Sequence, residues 1–131
     1  QGDEVIKLTA KIIDKTIKKI GNSTDFIGHR GGDEFIAITS PDKINNICQQ
    51  IISCFDKEIE SLYLPEDIRQ GYITLQEEDK SSSIYPIMTI SIGVVTNEKM
   101  KFDNYFQVHE LALEAKEEAK SLPGSSYYKK I

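Results

Sequence analysis

Residues 31–34 set two glycines directly before two carboxylates, Gly31-Gly32-Asp33-Glu34, within a run, "HRGGDEFIAIT" (29–39), whose remaining residues favour β structure. Two chemistries suit that pattern. In the first it is only a hairpin turn. Both central positions of a type I′ turn need positive φ, which glycine adopts without strain, and the acids are then merely solvated. In the second, a turn bare of side chains lets a phosphate approach the backbone N–H groups. A neighbouring carboxylate then holds a hard divalent cation that bridges the phosphate oxygens. The cation is required there, because a carboxylate beside a bare triphosphate would repel it.

The turn needs strands to carry it, and its flanks supply them: "TDFIGHR" (24–30) and "EFIAIT" (34–39) both have strand character. Upstream, Val5, Leu8, Ile12, Ile13, Ile17 and Ile20 fall on one stripe at helical spacing across residues 4–20. Asp3 stands where an N-cap would stand and Gly21 where a C′ glycine would. Downstream, Pro41 with Ser40 and Asp42 opens a helix over 43–62, with Ile44, Ile47, Ile51, Ile52 and Phe55 inward. Residues 63–86 are polar and irregular, except that "GYITLQ" can pair with "SIYPIM" across the exposed "EEDKSSS" tip. "IMTISIGVV" (87–95) is the most hydrophobic strand, and its weak alternation suits a strand covered on both faces. A last amphipathic helix, about 104–121, ends before "LPG", and "SSYYKKI" adds a short edge strand. The order α–β–β–α–β hairpin–β–α, without repeat or linker, predicts one α+β domain over 1–131, a sheet carrying helices.

Bulk properties narrow the function classes. The chain has 131 residues, 39% hydrophobic and 28% charged, with a net charge of −5. A pI of about 5.1 leaves no diffuse basic face for DNA, although a local or metal-bridged nucleotide site remains open. Cys48 and Cys54 lie six apart on a helix and point to different sides, so two unpaired thiols favour a reducing, cytoplasmic setting. With His29 and His109 they form no zinc ligand spacing. No apolar run is long enough to span a bilayer, so no membrane association is expected of this segment. The opening "QGDEVIKL" lacks an initiator methionine and enters helical periodicity at once, which leads us to expect a fragment of a longer chain.

"GGDEF" (31–35) is also the signature of the GGDEF family, the diguanylate cyclases, and the chain resembles that family beyond five letters. "GDEVIKLTAKII" (2–13) is similar to its "GD-x-V-L" helix start, "MTISIGVV" (88–95) to its "T-x-S-I-G" strand, and "HELALEAKEEAKS" (109–121) to its closing helix. The resemblance implies a ferredoxin-like, nucleotide-cyclase-like α+β sandwich with a mostly antiparallel sheet. It implies bacterial second-messenger signalling: two GTP condense into cyclic di-GMP and two pyrophosphates on Mg²⁺ or Mn²⁺. Each domain of a homodimer would hold one GTP, downstream of a sensory or receiver domain. By position it makes Asp33 a metal-binding, catalytic acid and Glu34 its active-site neighbour. Gly31 and Gly32 become the turn that admits phosphate and base. Asp3 would accept from the guanine edge, Lys116 would contact phosphate, and Lys120 would be a second basic residue. From the residues alone Asp3 remains equally an N-cap, and Lys116 with Lys120 a solvated i,i+4 pair.

The departures carry expectations of their own. The family's other metal aspartate sits on a strand before the "GD" helix, and no residues of this sequence correspond to it. Without that first strand the chain alone is expected to be inactive. Its sheet should need a substitute, from a second chain, a shifted strand or the 72–86 hairpin, because a central strand leaves backbone groups unpaired when removed. At the family's inhibitory "R-x-x-D" this chain has "NSTD" (22–25), so Asp25 survives as a remnant while Asn22 lacks arginine's bidentate fork. His29-Arg30 stand before the glycines instead of Arg-Tyr, and Leu113 and Ala119 replace a tyrosine and a glycine of the closing helix. These departures favour an alternative: a degenerate domain that senses GTP or cyclic di-GMP, or only dimerises.

Overall fold

Isoleucine carries the core. In the computed structural model, which describes residues 2–131, α1 (Gly2–Ile20) and α2 (Ile44–Glu58) pack together through Ile12, Ile13, Ile17, Ile47, Ile51 and Phe55, with Ile59 just beyond α2. The i, i+1, i+5 spacing in α1 and the i, i+4, i+8 spacing in α2 put these side chains on facing stripes. Cys48 is buried beside them, and burial pushes its thiol up to about 12, so it behaves as a small apolar side chain.

The glycine turn joins β1 (Phe26–His29) to β2 (Phe35–Ile38), which pair antiparallel with His29 opposite Phe35. Beyond α2 and a 3₁₀ turn comes α3 (Pro65–Gln70), a short helix where an irregular stretch was expected. Proline at its first turn and Gly71 at φ 91 behind it supply start and stop. The expected hairpin follows as β3 (Tyr72–Gln76) and β4 (Ser82–Pro86). The strand expected over 87–95 is ordered as β5 only at Ser91–Val94. Helix α4 (Tyr105–Lys120) then crosses it, with Asn104 as N-cap accepting from the Gln107 N–H at 3.2 Å. Last comes β6 (Ser126–Lys129), parallel to β5.

The α+β class is as expected; the single sheet is not. Among the described residues the strands form three two-stranded sheets, two antiparallel and one parallel. Ile27 and Phe35 from one sheet and Ile92 from another pack against the same α1–α2 core, so both lie on one helical layer. Yet among the described residues β2 pairs only with β1 and β5 only with β6. The Arg30 N–H bonds the Glu34 carbonyl at 2.9 Å, and alternation from that pair turns the N–H and C=O groups of Phe35 and Ala37 away from β1. Ser126 and Lys130 N–H groups bond the carbonyls of Ile90 and Val94, so Ser91 and Gly93 turn away from β6. Two strand edges are therefore open. The 72–86 hairpin does not fill them, since among the described residues β3 pairs only with β4. No helix among the described residues is long and apolar enough to cross a membrane.

Candidate functional site

Three residues build the turn, not two. The Arg30–Glu34 pair closes it around Gly31, Gly32 and Asp33, and the Glu34 N–H returns to the Gly31 carbonyl at 3.2 Å. Gly31 has φ 92 and Gly32 φ 54, whereas Asp33 has no positive φ. Within the Gly31–Glu34 turn only the first central residue is left-handed, the sign pattern of type II′ and not the type I′ expected. A Cβ on either glycine would meet nothing within 4 Å, so backbone conformation alone demands glycine here. That same openness leaves the main chain approachable.

His29 fixes the turn's orientation. Its ring stacks on Phe35 at 4.5 Å and 9°, and its Nε2 lies 2.8 Å from the Gly32 carbonyl. A carbonyl only accepts, so Nε2 carries the hydrogen. Among the described residues the N–H groups of Gly31, Gly32 and Asp33 have no hydrogen-bond partner, and all three residues are exposed. Three consecutive unpaired donors on a held turn suit an anion.

Helix α4 brings charge to this turn from far along the chain. Lys116 Nζ donates to Glu34 Oε1 at 2.8 Å, across 82 positions of sequence. The hydrogen bond and charge of Lys116, with smaller help from Arg30 and His109, hold the Glu34 carboxyl below the usual carboxylate range. Helix α4 can reach the turn because Gly93 on β5 lets it sit close. A Cβ there would lie 2.5 Å from the Lys116 backbone nitrogen and 2.6 Å from the Ala112 carbonyl. On the other flank Arg30 Nη1 donates to Tyr105 Oη at 2.9 Å and lies 2.9 Å from His109 Nδ1. Residues 105, 109 and 116 share one face of α4 by their spacing.

Of the residues singled out by the sequence, Gly31, Gly32, Asp33, Glu34 and Lys116 are gathered here. Asp33 is exposed and makes no hydrogen bond or ion pair among the described residues. Lys120 ends α4 one turn beyond Lys116, exposed. Asp3 is not joined to the cluster by any hydrogen bond or ion pair among the described residues. It lies inside the first turn of α1, after Gly2, where its charge suits the helix dipole, and not outside the helix as an N-cap. Arg30, Tyr105 and His109 were not identified in sequence as members. Only their side-chain geometry marks them, and no spacing rule joins position 30 to 105.

Asp25 has a structural task. Its Oδ2 accepts from the Asn22 N–H at 2.8 Å and the Thr39 hydroxyl at 2.7 Å, and its Oδ1 from the Asn22 amide at 3.3 Å. These bonds, the Asn22 N–H first, hold its carboxyl below the usual range. The carboxylate thereby ties the end of α1 to β2. Gly21 serves the same junction. Its φ is not left-handed, contrary to the C′ expectation; a Cβ there would lie 2.5 Å from both Asp25 Oδ2 and the Ile17 carbonyl.

As a metal site the donor set is sparse. No group of three or more His, Cys, Asp or Glu residues converges among the described residues. Glu34 is engaged by Lys116, which leaves Asp33 as the carboxylate available at the turn. Mg²⁺ is commonly held by one or two carboxylates with substrate phosphates and water completing the shell. Among the described residues the turn thus offers one free carboxylate and no assembled metal site. No family model matches the chain, and no curated protein or solved structure matches it.

Proposed function

We propose that this chain is a nucleotide-binding domain of the diguanylate cyclase type, whose glycine turn receives the phosphates of GTP with Mg²⁺ or Mn²⁺. The observation that carries this reading is the meeting of Glu34 and Lys116 at 2.8 Å beside three unpaired turn amides. Two segments singled out separately in the sequence supply one site, with donors, one free acid and a lysine at its rim. In this reading the amides and Lys116 bind phosphate oxygens, and Lys116 exchanges its bond to Glu34 for one to phosphate. Asp33 would hold the cation, whose chemistry is to neutralise charge on the phosphates during in-line transfer. Lys120 would extend the cationic rim, and Asp3 would engage the guanine edge.

With a second acid supplied by a further segment and a second domain facing it, such a site would join two GTP into cyclic di-GMP. The present residues offer one free acid, so this chain incubated with GTP and Mg²⁺ is expected to yield no cyclic di-GMP. Detecting the product by chromatography would show that one carboxylate suffices. The open edges of β2 and β5 support the idea that a strand from elsewhere completes the sheet between them.

A second reading, a non-catalytic sensor, is favoured by Glu34 being neutralised by Lys116. Calorimetry distinguishes the general proposal from its failure: Mg·GTP should bind, with a dissociation constant on the order of 0.1–1 mM, or roughly 4–5.5 kcal/mol. Asp33→Ala or removal of Mg²⁺ should abolish the heat. Equal binding with and without the cation would refute the metal-bridged arrangement. Cyclic di-GMP should not bind at Asp25, whose oxygens are already occupied; micromolar binding lost in Asp25→Ala would contradict this.

A further inference from the structure

Tyr105 and Phe106 stand side by side in the first turn of α4, 58% and 74% exposed. The core does not use either ring: α4 buries Ala115 and Ala119 instead. The two ring planes meet at 62° with centroids 6.2 Å apart, which leaves an open corner. Tyr105 is held from behind. His109 stacks on it at 5.5 Å and 20°, and Arg30 Nη1 lies over the imidazole, 2.9 Å from Nδ1 and 3.4 Å from Nε2. The same Arg30 nitrogen donates to Tyr105 Oη at 2.9 Å. Arg30 also fixes how far the corner is from the turn. Its main chain adjoins Gly31, whose N–H begins the row of three unpaired donors, and its side chain ends on Tyr105. One arginine side chain therefore separates aromatic corner from amide row, comparable to the separation of base from phosphates in a nucleotide. Among the described residues Arg30 makes no ion pair, so its charge over that interval is not neutralised.

We propose that Tyr105 and Phe106 form a stacking subsite for the base of the nucleotide whose phosphates the glycine turn receives, with Arg30 spanning the two. This subsite rests on the nucleotide reading given above. A base laid on Tyr105 meets a ring already oriented by His109 and Arg30, so little side-chain freedom is lost on binding. Phe106 walls the corner and covers the edge of the stack from water. Stacking asks only for a π-face, so the subsite accepts any base and leaves the choice of guanine to contacts at the edge of the ring. The guanidinium of Arg30, between base and phosphates, adds a charge that a neutral planar ligand would not use.

The test titrates the 131-residue chain with Mg·GTP, Mg·ATP and Mg·ribose 5′-triphosphate, which lacks only the base, and follows turn amides and aromatic rings by NMR. All three should shift the Gly31, Gly32 and Asp33 amides, but only the two nucleotides should shift the Tyr105 and Phe106 ring signals. Both nucleotides should bind at least about fivefold tighter than ribose triphosphate, the least that stacking one base on an aromatic ring contributes. Tyr105→Ala should erase that gain and leave ribose triphosphate binding unchanged. Tyr105→Phe, which keeps the ring and loses the bond to Arg30, should retain it. Equal affinities with and without the base, while the turn amides move, would overturn the subsite and leave the anion receptor standing. A gain that survives Tyr105→Ala would come from contacts elsewhere and overturn it too. Weaker ribose triphosphate binding in Tyr105→Ala would make Tyr105 a support for Arg30 and not a stacking surface. Turn amides unmoved by all three ligands would overturn the receptor itself, and this subsite with it. Native dispersion of the Ile47 and Ile51 methyl signals confirms that each variant is folded.

Discussion

At the residue scale the turn separates conformational need from spatial need. Gly31 and Gly32 have room for a side chain but hold φ of 92 and 54. Replacing Gly32 by Ala should therefore cost about 1–2 kcal/mol, the price of a left-handed L-residue, with no clash to relieve. Chemical denaturation measures it, and Gly32→Asn should recover part of the loss. Gly21 is the opposite case, with ordinary φ and no room, so Gly21→Ala should disturb the Asp25 network whatever its backbone prefers. The acids set a pH dependence. Asp25 and Glu34 both have folded carboxyl values below their ordinary ones, so their contributions are complete above about pH 4–4.5. They are lost as pH falls through the lowered folded values. Thermal midpoints should drop below about pH 4, less steeply in Asp25→Asn; an identical acid limb in that variant would contradict the assignment.

At the element scale α4 is the carrier of the site, and Gly93 decides where it lies. Gly93→Ala puts a Cβ within 2.5 Å of α4 main chain, which cannot rotate aside. Overpacking of this kind costs about 1–3 kcal/mol, and here it should also part Lys116 from Glu34. A variant with unchanged stability and an intact Lys116–Glu34 pair, read from the Lys116 ammonium signal, would show that α4 sits less tightly. The elements themselves were largely legible. Isoleucine periodicity announced α1 and α2, and strand-forming runs around the glycines announced β1 and β2. Helix α3 was missed because six residues carry too little periodicity to register, though Pro65 and Gly71 were cues to its ends. The strand expected over 87–95 shortened to Ser91–Val94 because β6 offers a partner only there. Within the site, the adjacency of Gly31, Gly32, Asp33 and Glu34 was visible in one dimension. The approach of Arg30 to Tyr105 and His109 was not, since it depends on how α4 crosses β5.

At the scale of the whole molecule, one half is a helix pair with a saturated core and the other a set of strands with edges to spare. Ile47, 2% exposed between α1 and α2, should cost about 2–5 kcal/mol when cut to Ala. By contrast, the outward amides of Phe35, Ala37, Ser91 and Gly93 should exchange hydrogen quickly, while that of Ile36, directed at β1, is protected. Slow exchange at all five would mean the edges are covered in solution. Such a division suits a domain that holds its shape by its helices and receives ligand and partners through its strands. The claim on which this depends is that the glycine turn is an anion receptor that works with a divalent cation. Its most direct test is the shift of the Gly31, Gly32 and Asp33 amide signals as Mg·GTP is added to the folded chain. We expect saturable shifts centred on these three amides, abolished by chelating Mg²⁺ and by Asp33→Ala. Unmoved turn amides at millimolar Mg·GTP, with the core signals intact, would contradict the account.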